Sequence, residues 1–318
     1  VFSCKECGLP FLSDRLLPHS EHRCPDCRAG RPVENFPDES LAEAMEREVC
    51  RALAACWRFV TEPTLDAYLQ RLVQRIADRI EAAPAGCRVV LVEDRSLRTL
   101  ALPSGLLLIS IGTLAFLRDE AELVFVLGHE MAHAASGEAA VRLVRLGYHA
   151  AASESEGEAE DVWTEAALDL VRLGYGRKRE RDADQAALSA VVSLGYDPAS
   201  VLHYLERLGR EVKRGNPETS ELATAHTSAE DRARRVERSL FHRSNAPSAP
   251  RVNRELFRRA AARAVLSGNL RPLSLDSVLA ARLSGPEDET GSGKSMGWTV
   301  AAILLITALI VLAGLYLA

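Results

Sequence analysis

The sequence has no excess of positive charge: 39 Lys and Arg stand against 44 Asp and Glu, a formal net charge of -5 over 318 residues. A nucleic-acid binder held by bulk charge is therefore not expected. A disulfide framework is missing as well. Of the seven cysteines, four form two Cys-x-x-Cys pairs near the N-terminus, while Cys50, Cys56 and Cys87 sit in apolar surroundings and are expected to pack in the core. The opening VFSCKECG has no basic stretch followed by an apolar run, so it does not read as a secretory leader. TGSGKS, Thr290 to Ser295, matches the end of a phosphate-binding loop, but Asp288 stands where that pattern needs Gly and no strand precedes it. It reads as a flexible linker, and no internal repeat is found.

What remains is a chain with 47% apolar residues, long enough for one or two domains with a sizeable core. Its last 22 residues, Gly297 to Ala318, contain no charge. As a helix they would extend about 33 Å, enough to cross a hydrocarbon layer of about 30 Å. The run is apolar on every face and follows the polar GPEDETGSGKS, with Trp298 and Tyr316 near its two ends as interfacial anchors. A single C-terminal transmembrane helix is expected, with a buried core helix as the alternative.

Three further parts precede it: a cysteine-rich head over 1–36, a main domain over 37–244, and a helical segment with a linker over 245–296. Within the main domain, Leu41, Met45, Val49 and Leu53 recur at helical spacing, as do Leu65, Leu69, Leu72, Val73, Ile76 and Ile80 after Pro63. RVVLVE (Arg88 to Glu93) and GLLLIS (Gly105 to Ser110) change the period and read as strands of a small sheet. Asp119 and Glu122 form a capping box for a helix running to Ala135 and stopping near Gly137. The acidic SESEGEAED, Ser153 to Asp161, reads as a loop. Gly195 ends one helix, and Asp197 with Pro198 starts the next. The expected class is α+β, mainly helical.

Cys4, Cys7, Cys24 and Cys27 form two pairs separated by 16 residues, the spacing of a four-thiolate zinc site. Each pair places two sulfurs on a tight knuckle, and two knuckles complete a tetrahedron. Such a head is too small for a core of its own, so metal binding would supply its folding energy. This zinc would be structural, the head a zinc ribbon whose partner is unknown, and reduced thiolates place the soluble part in the cytoplasm.

VLGHEMAHAAS contains H-E-x-x-H. On a helix His129 and His133 share a face and can reach one metal ion, while Glu130 can reach a water beside it. Five apolar residues, Leu123 to Leu127, lead into the motif, so its helix is buried and its ionisable side chains are costly without a purpose. Satisfied core histidines are the alternative. A third ligand is needed; a histidine at the metzincin spacing is excluded, because Ala139 occupies that position. A later helix offers Glu180, with Asp184 on the same face to accept a histidine N–H. Taken alone, RKRERD reads equally as a charged helix face.

LRDEAELVFVLGHEMAHAASGE followed by RERDADQAALSAVVSLGYDPASVLHYLERL resembles the M48 family of zinc metallopeptidases, over roughly Thr64 to Leu240. The matching positions are His129, Glu130, His133, Glu180, Ala183, Asp184 and Gly195 to Pro198. RTLALPSGLLLIS keeps Ala101, Pro103 and Gly105 but has Arg98 where the family usually has Asn; AHTSAEDRARR matches at His226 and Arg232, with Thr227 in place of Pro. The resemblance implies a zincin-like domain with a catalytic zinc held by His129, His133 and Glu180, and Glu130 as general base. It also implies that Gly105 to Ile111 is the edge strand on which an extended substrate lies, and that His226 approaches the site as a further ligand or a donor to the oxyanion. The expected activity is a membrane-anchored zinc metalloendopeptidase with one catalytic and one structural zinc, acting on proteins or peptides. The competitors are a non-catalytic zinc-ribbon adaptor and a hydrolase of other bonds.

Overall fold

The computed structural model describes residues 2–3, 10–11, 39–137, 177–219, 226–242, 250–266 and 270–280. The four cysteines of the head, the acidic stretch from Ser153 to Asp161 and the apolar run from Gly297 lie outside the described residues. At the N-terminus β1 (Phe2–Ser3) pairs antiparallel with β2 (Pro10–Phe11), a pairing that brackets Cys4 and Cys7 in the sequence.

Helix α1 (Glu39–Cys56) and helix α2 (Pro63–Ala77) fulfil the two helical periodicities, but a short strand, β3 (Phe59–Thr61), separates them. α2 starts where Glu62 accepts from the Leu65 N–H and Pro63 supplies a fixed φ. Cys50 and Cys87 are buried, whereas Cys56, expected in the core, is exposed. α1 ends at that residue, and Trp57 turns inward instead.

The two sequence-predicted strands are β4 (Arg88–Val92) and β6 (Leu106–Ser110), which pair parallel, with β5 (Thr99–Ala101) returning antiparallel to β6. With β7 (Arg271–Pro272) the sheet has five strands in the order β5-β6-β4-β3-β7. The expectation for the edge is corrected here: β6 is interior, and among the described strands the edges are β5 and β7. The apolar run LLLI of β6 fits an interior position, since strands covered on both faces lose their polar alternation. Val60, Leu91, Leu107 and Ile109 point to the layer containing α2, while Phe59, Val90, Val92, Leu106 and Leu108 point to the layer containing α1.

After β6, a short α3 (Ile111–Phe116) leads to α4 (Glu120–Ala135), the central helix. α4 packs on α5 (Arg177–Ser193), which is followed by α6 (Pro198–Lys213), a 3-10 turn at Pro217–Thr219, and α7 (Ala229–His242). The segment beyond residue 244 returns to this body. In α8 (Arg254–Leu266), Phe257, Ala260 and Ala261 join the main core; β7 pairs with β3; and Val278 of α9 (Leu275–Ala280) is fully buried with α1. Among the described residues no helix is long and apolar enough to cross a membrane.

Candidate metal centre

The start and stop of α4 follow its sequence signals. The Asp119 carboxylate accepts from the Glu122 N–H at 3.0 Å, Glu122 reaches back to the Arg118 N–H at 2.8 Å, and Gly137 has φ +68° just beyond the end. Between these signals the helix is buried on almost every side, so His129, Glu130 and His133 project into the interior. Close packing against α5 sets what they meet. A Cβ at Gly128 would stand 3.4 Å from Ala187 Cα, and Ala183, Ala187 and Ala190 are all buried. These small residues bring the two backbones together and carry Glu180 and Asp184 to the histidines.

Four donor atoms converge. His133 Nε2 lies 3.1 Å from His129 Nε2 and 3.2 Å from Glu180 Oε1; His129 Nε2 lies 3.7 Å from Glu180 Oε2. His226, just before α7, places Nδ1 3.3 Å from His129 Nε2 and 2.9 Å from Glu180 Oε2. Ligand atoms held tetrahedrally at the usual zinc distances stand about 3.3 to 3.5 Å apart, which these separations bracket. Glu180 has no side-chain exposure, and its Oε1 makes no hydrogen bond. A buried carboxylate oxygen left without a donor, facing imidazole nitrogens, suits a divalent cation.

The surrounding groups set the protonation states such a site needs. His129 Nδ1 donates to Asp184 Oδ1 at 3.0 Å, which fixes the tautomer and turns the Nε2 lone pair toward the cluster. Asp184 is itself clasped by Arg232, whose Nε and Nη2 donate to it at 3.1 and 2.7 Å, and Arg235 Nη2 adds a longer contact of 3.5 Å. Burial, aided for His129 by the Arg232 charge, holds both α4 histidines below the ordinary imidazole value and therefore neutral. Burial pushes the Glu180 carboxyl up, but His226, His133 and His129 together outweigh it and hold the group well below its usual range. For Asp184 burial is outweighed in the same way by Arg232 and His129. For His226 burial is outweighed by Glu180, so its imidazole is raised. Neutral histidines and an ionised glutamate are the metal-binding forms.

Glu130 faces the cluster from the side. It is 4% exposed, its Oε1 accepts from Thr99 Oγ1 at 2.8 Å, and His226 Nε2 stands 3.9 Å from the same oxygen. Beside His133 a cavity of about 310 Å³ is lined by small and apolar residues such as Ile80, Ala132 and Ala183 and by the charged Glu81, Arg179 and Asp182. The fold thus brings His129, Glu130, His133, Glu180, Asp184 and His226 together, while Cys4, Cys7, Cys24 and Cys27 lie outside the described residues. Two contributors had no assigned task in the sequence. Arg232 carried only a positional match, and Thr99 was one residue of RTLA on a strand too short to show a period.

Comparison with known proteins gives the same location. The sequence profile described as Peptidase family M48 matches residues 63–240, that is 178 of 318 residues. The chain is similar to the mitochondrial metalloendopeptidase OMA1 of Arabidopsis thaliana, at 27% identity over 46% of this chain and 30% of the relative. It is also similar to the mitochondrial metalloendopeptidase OMA1 of Danio rerio, at 28% identity over 64% of this chain and 47% of the relative. The chain therefore spans less than half the length of the curated relatives it matches.

Proposed function

Because the chain belongs to peptidase family M48, we propose that it is a zinc metalloendopeptidase that hydrolyses peptide bonds of protein substrates. The observation that carries this is the convergence of three imidazoles on a buried glutamate with an unsatisfied oxygen. His129, His133 and Glu180 would hold the zinc. Bound there, zinc supplies Lewis-acid chemistry, lowering the pKa of a water and polarising a carbonyl.

The remaining work falls to the chain itself. Glu130 takes the proton of the attacking water and returns it to the leaving amine. His226, raised by its contact with Glu180, is placed to donate to the oxygen on which negative charge develops. Asp184 and Arg232 keep His129 in one tautomer. β5, an edge strand among the described residues and the one beside Glu130, receives the substrate as an added strand. The cavity beside His133, with Ala132, Ala135 and Ala183 on its wall and Glu81, Arg179 and Asp182 also lining it, is placed to take a substrate side chain.

Two further parts of the proposal rest on sequence. The four-cysteine head binds a second, structural zinc, and the run from Gly297 to Ala318 anchors the protein in a membrane with the catalytic part on the cytoplasmic side. The wild-type chain should contain two zinc ions, and His133→Ala and Cys24→Ser one each. Cleavage of an unfolded protein by wild type and Glu130→Gln tests the activity; equal rates would reject it in favour of a non-catalytic adaptor.

A further inference from the structure

β5 does two things with one residue. Ser110 N donates to Arg98 O, and Leu102 N donates to Leu106 O, so Arg98 and Leu102 turn their backbone groups toward β6. Thr99 stands opposite Ile109, and Ala101 opposite Leu107. In an antiparallel ladder inward-facing residues alternate with outward-facing ones, so the N–H and C=O of Thr99 and Ala101 face away from β6, on the side where no strand pairs among the described residues. Side chains alternate as well. Leu100 enters the layer under α1, Ala101 enters the layer containing α4, and Thr99 shares the Ala101 face. There its Oγ1 donates to Glu130 Oε1 at 2.8 Å. Among the described residues this is the one hydrogen bond that reaches the Glu130 carboxylate.

A glutamate side chain is free about several bonds, and ordering it costs up to about 2 kcal/mol of rotamer entropy. A donor on a sheet strand, rigid before substrate arrives, removes that cost from the reaction. Resting on the reading of Glu130 as general base, we propose that Thr99 is a positioning residue. Its hydroxyl fixes Oε1 and leaves the other oxygen to take the proton, while the backbone of the same residue meets the substrate strand. Seating the substrate and aiming the base are thereby joined in one residue.

The test compares Thr99→Val, which keeps the shape and removes the donor, with Thr99→Ser, which restores it. On fluorescently labelled casein with the zinc-loaded full chain, Thr99→Val should lose about tenfold in kcat, equivalent to about 1.4 kcal/mol. KM should stay within about twofold and zinc content should be unchanged, and Thr99→Ser should recover to within about threefold. The second readout needs no activity. In metal-free protein labelled at the glutamate carboxyl carbon, the NMR signal lost in Glu130→Gln should hold its position in Thr99→Ser and move or broaden in Thr99→Val. An unmoved Glu130 signal in Thr99→Val overturns the proposal whether or not the chain cleaves casein. So does an equal kcat loss in the Val and Ser variants, or a kcat loss accompanied by loss of zinc. If wild type itself does not cleave while the Glu130 signal responds as expected, the tether stands and the peptidase reading falls.

Discussion

At its N-terminal end, α4 buries Glu120, which accepts from Tyr68 Oη at 2.6 Å, from Asn253 Nδ2 at 2.7 Å and from the Tyr196 hydroxyl. At its C-terminal end, the same helix buries two histidines against Glu180, whose Oε1 has no donor. The first cluster closes on itself. Burial raises both tyrosine hydroxyls, Tyr196 to about 12, so both remain protonated donors and the carboxylate needs nothing further. In the second, His226 Nδ1 reaches Glu180 Oε2 at 2.9 Å, but Oε1 faces the neutral α4 imidazoles without a donor. A buried polar network that is complete stabilises a fold, and one that is short of positive charge marks where a cation belongs. The number of buried acids does not separate structure from site; the donor count around each does.

The largest effect that can break this contrast is on catalysis. Glu130→Gln should lower kcat by 10² to 10⁴-fold, the range for removal of a general base, with zinc content and thermal stability unchanged. Glu120→Gln should do the reverse, leaving kcat and zinc content alone while lowering the unfolding free energy. Steady-state kinetics beside urea melts distinguish the two, and a catalytic loss at Glu120 would end the division of labour along α4.

Next in size is the pair that supports the metal-facing end. The Asp184 and Arg232 side chains are 7% and 5% exposed, so Asp184→Asn would leave a buried guanidinium short of its partner. Breaking such a pair costs about 3 to 5 kcal/mol. The sign with pH follows from the depressed Asp184 carboxyl. Its contribution is complete above the unfolded carboxyl value of about 3.9 and is lost as pH falls through the lower folded value. Urea melts of the metal-free proteins should show the full gap at pH 7 and a narrowing gap below about pH 4. A gap that stays constant down to pH 3 would remove the ionic account.

Ligand addition sharpens the comparison further. Zinc at about 100 times its dissociation constant should stabilise the metal-free protein at this site by about 2.7 kcal/mol. To isolate it from the cysteine head, the titration is made in a Cys24→Ser background, where His133→Ala should abolish the shift and Tyr196→Phe should leave it intact. Persistence of the shift without His133 would place the metal elsewhere.

Legibility from sequence divides along the same physical line. α4 carries its start and stop signals in its own flanks, and on α5 Glu180 and Asp184 share a face by spacing alone. β3, β5 and β7 span two or three residues each and are defined by partners far away in the chain, so no pattern within them could announce a strand. The edge was misplaced for that reason: LLLIS is the more conspicuous run, but its neighbour on the open side is the brief TLA. Arg232 was visible as a residue and not as a partner, since its contact with Asp184 joins positions 48 apart. Cys56 went the other way, apolar in its sequence surroundings yet exposed at a helix end.

The smallest expected effect probes how complete the satisfied cluster is. Tyr68→Phe removes one of the donors to Glu120 and leaves the ring in place beneath α4. A hydrogen bond to a charged acceptor contributes about 1.5 to 3 kcal/mol net, but Tyr196 and Asn253 still hold the carboxylate, so the loss should fall near the lower end. Urea melts should record about 1.5 kcal/mol, with zinc uptake and kcat unchanged. The double variant Tyr68→Phe with Tyr196→Phe should lose more than the sum of the singles, because the second removal leaves Glu120 as short of donors as Glu180 is without its metal. A strictly additive double variant would show that the cluster is a set of independent bonds, and would weaken the donor count as a sign of what each end of α4 is for.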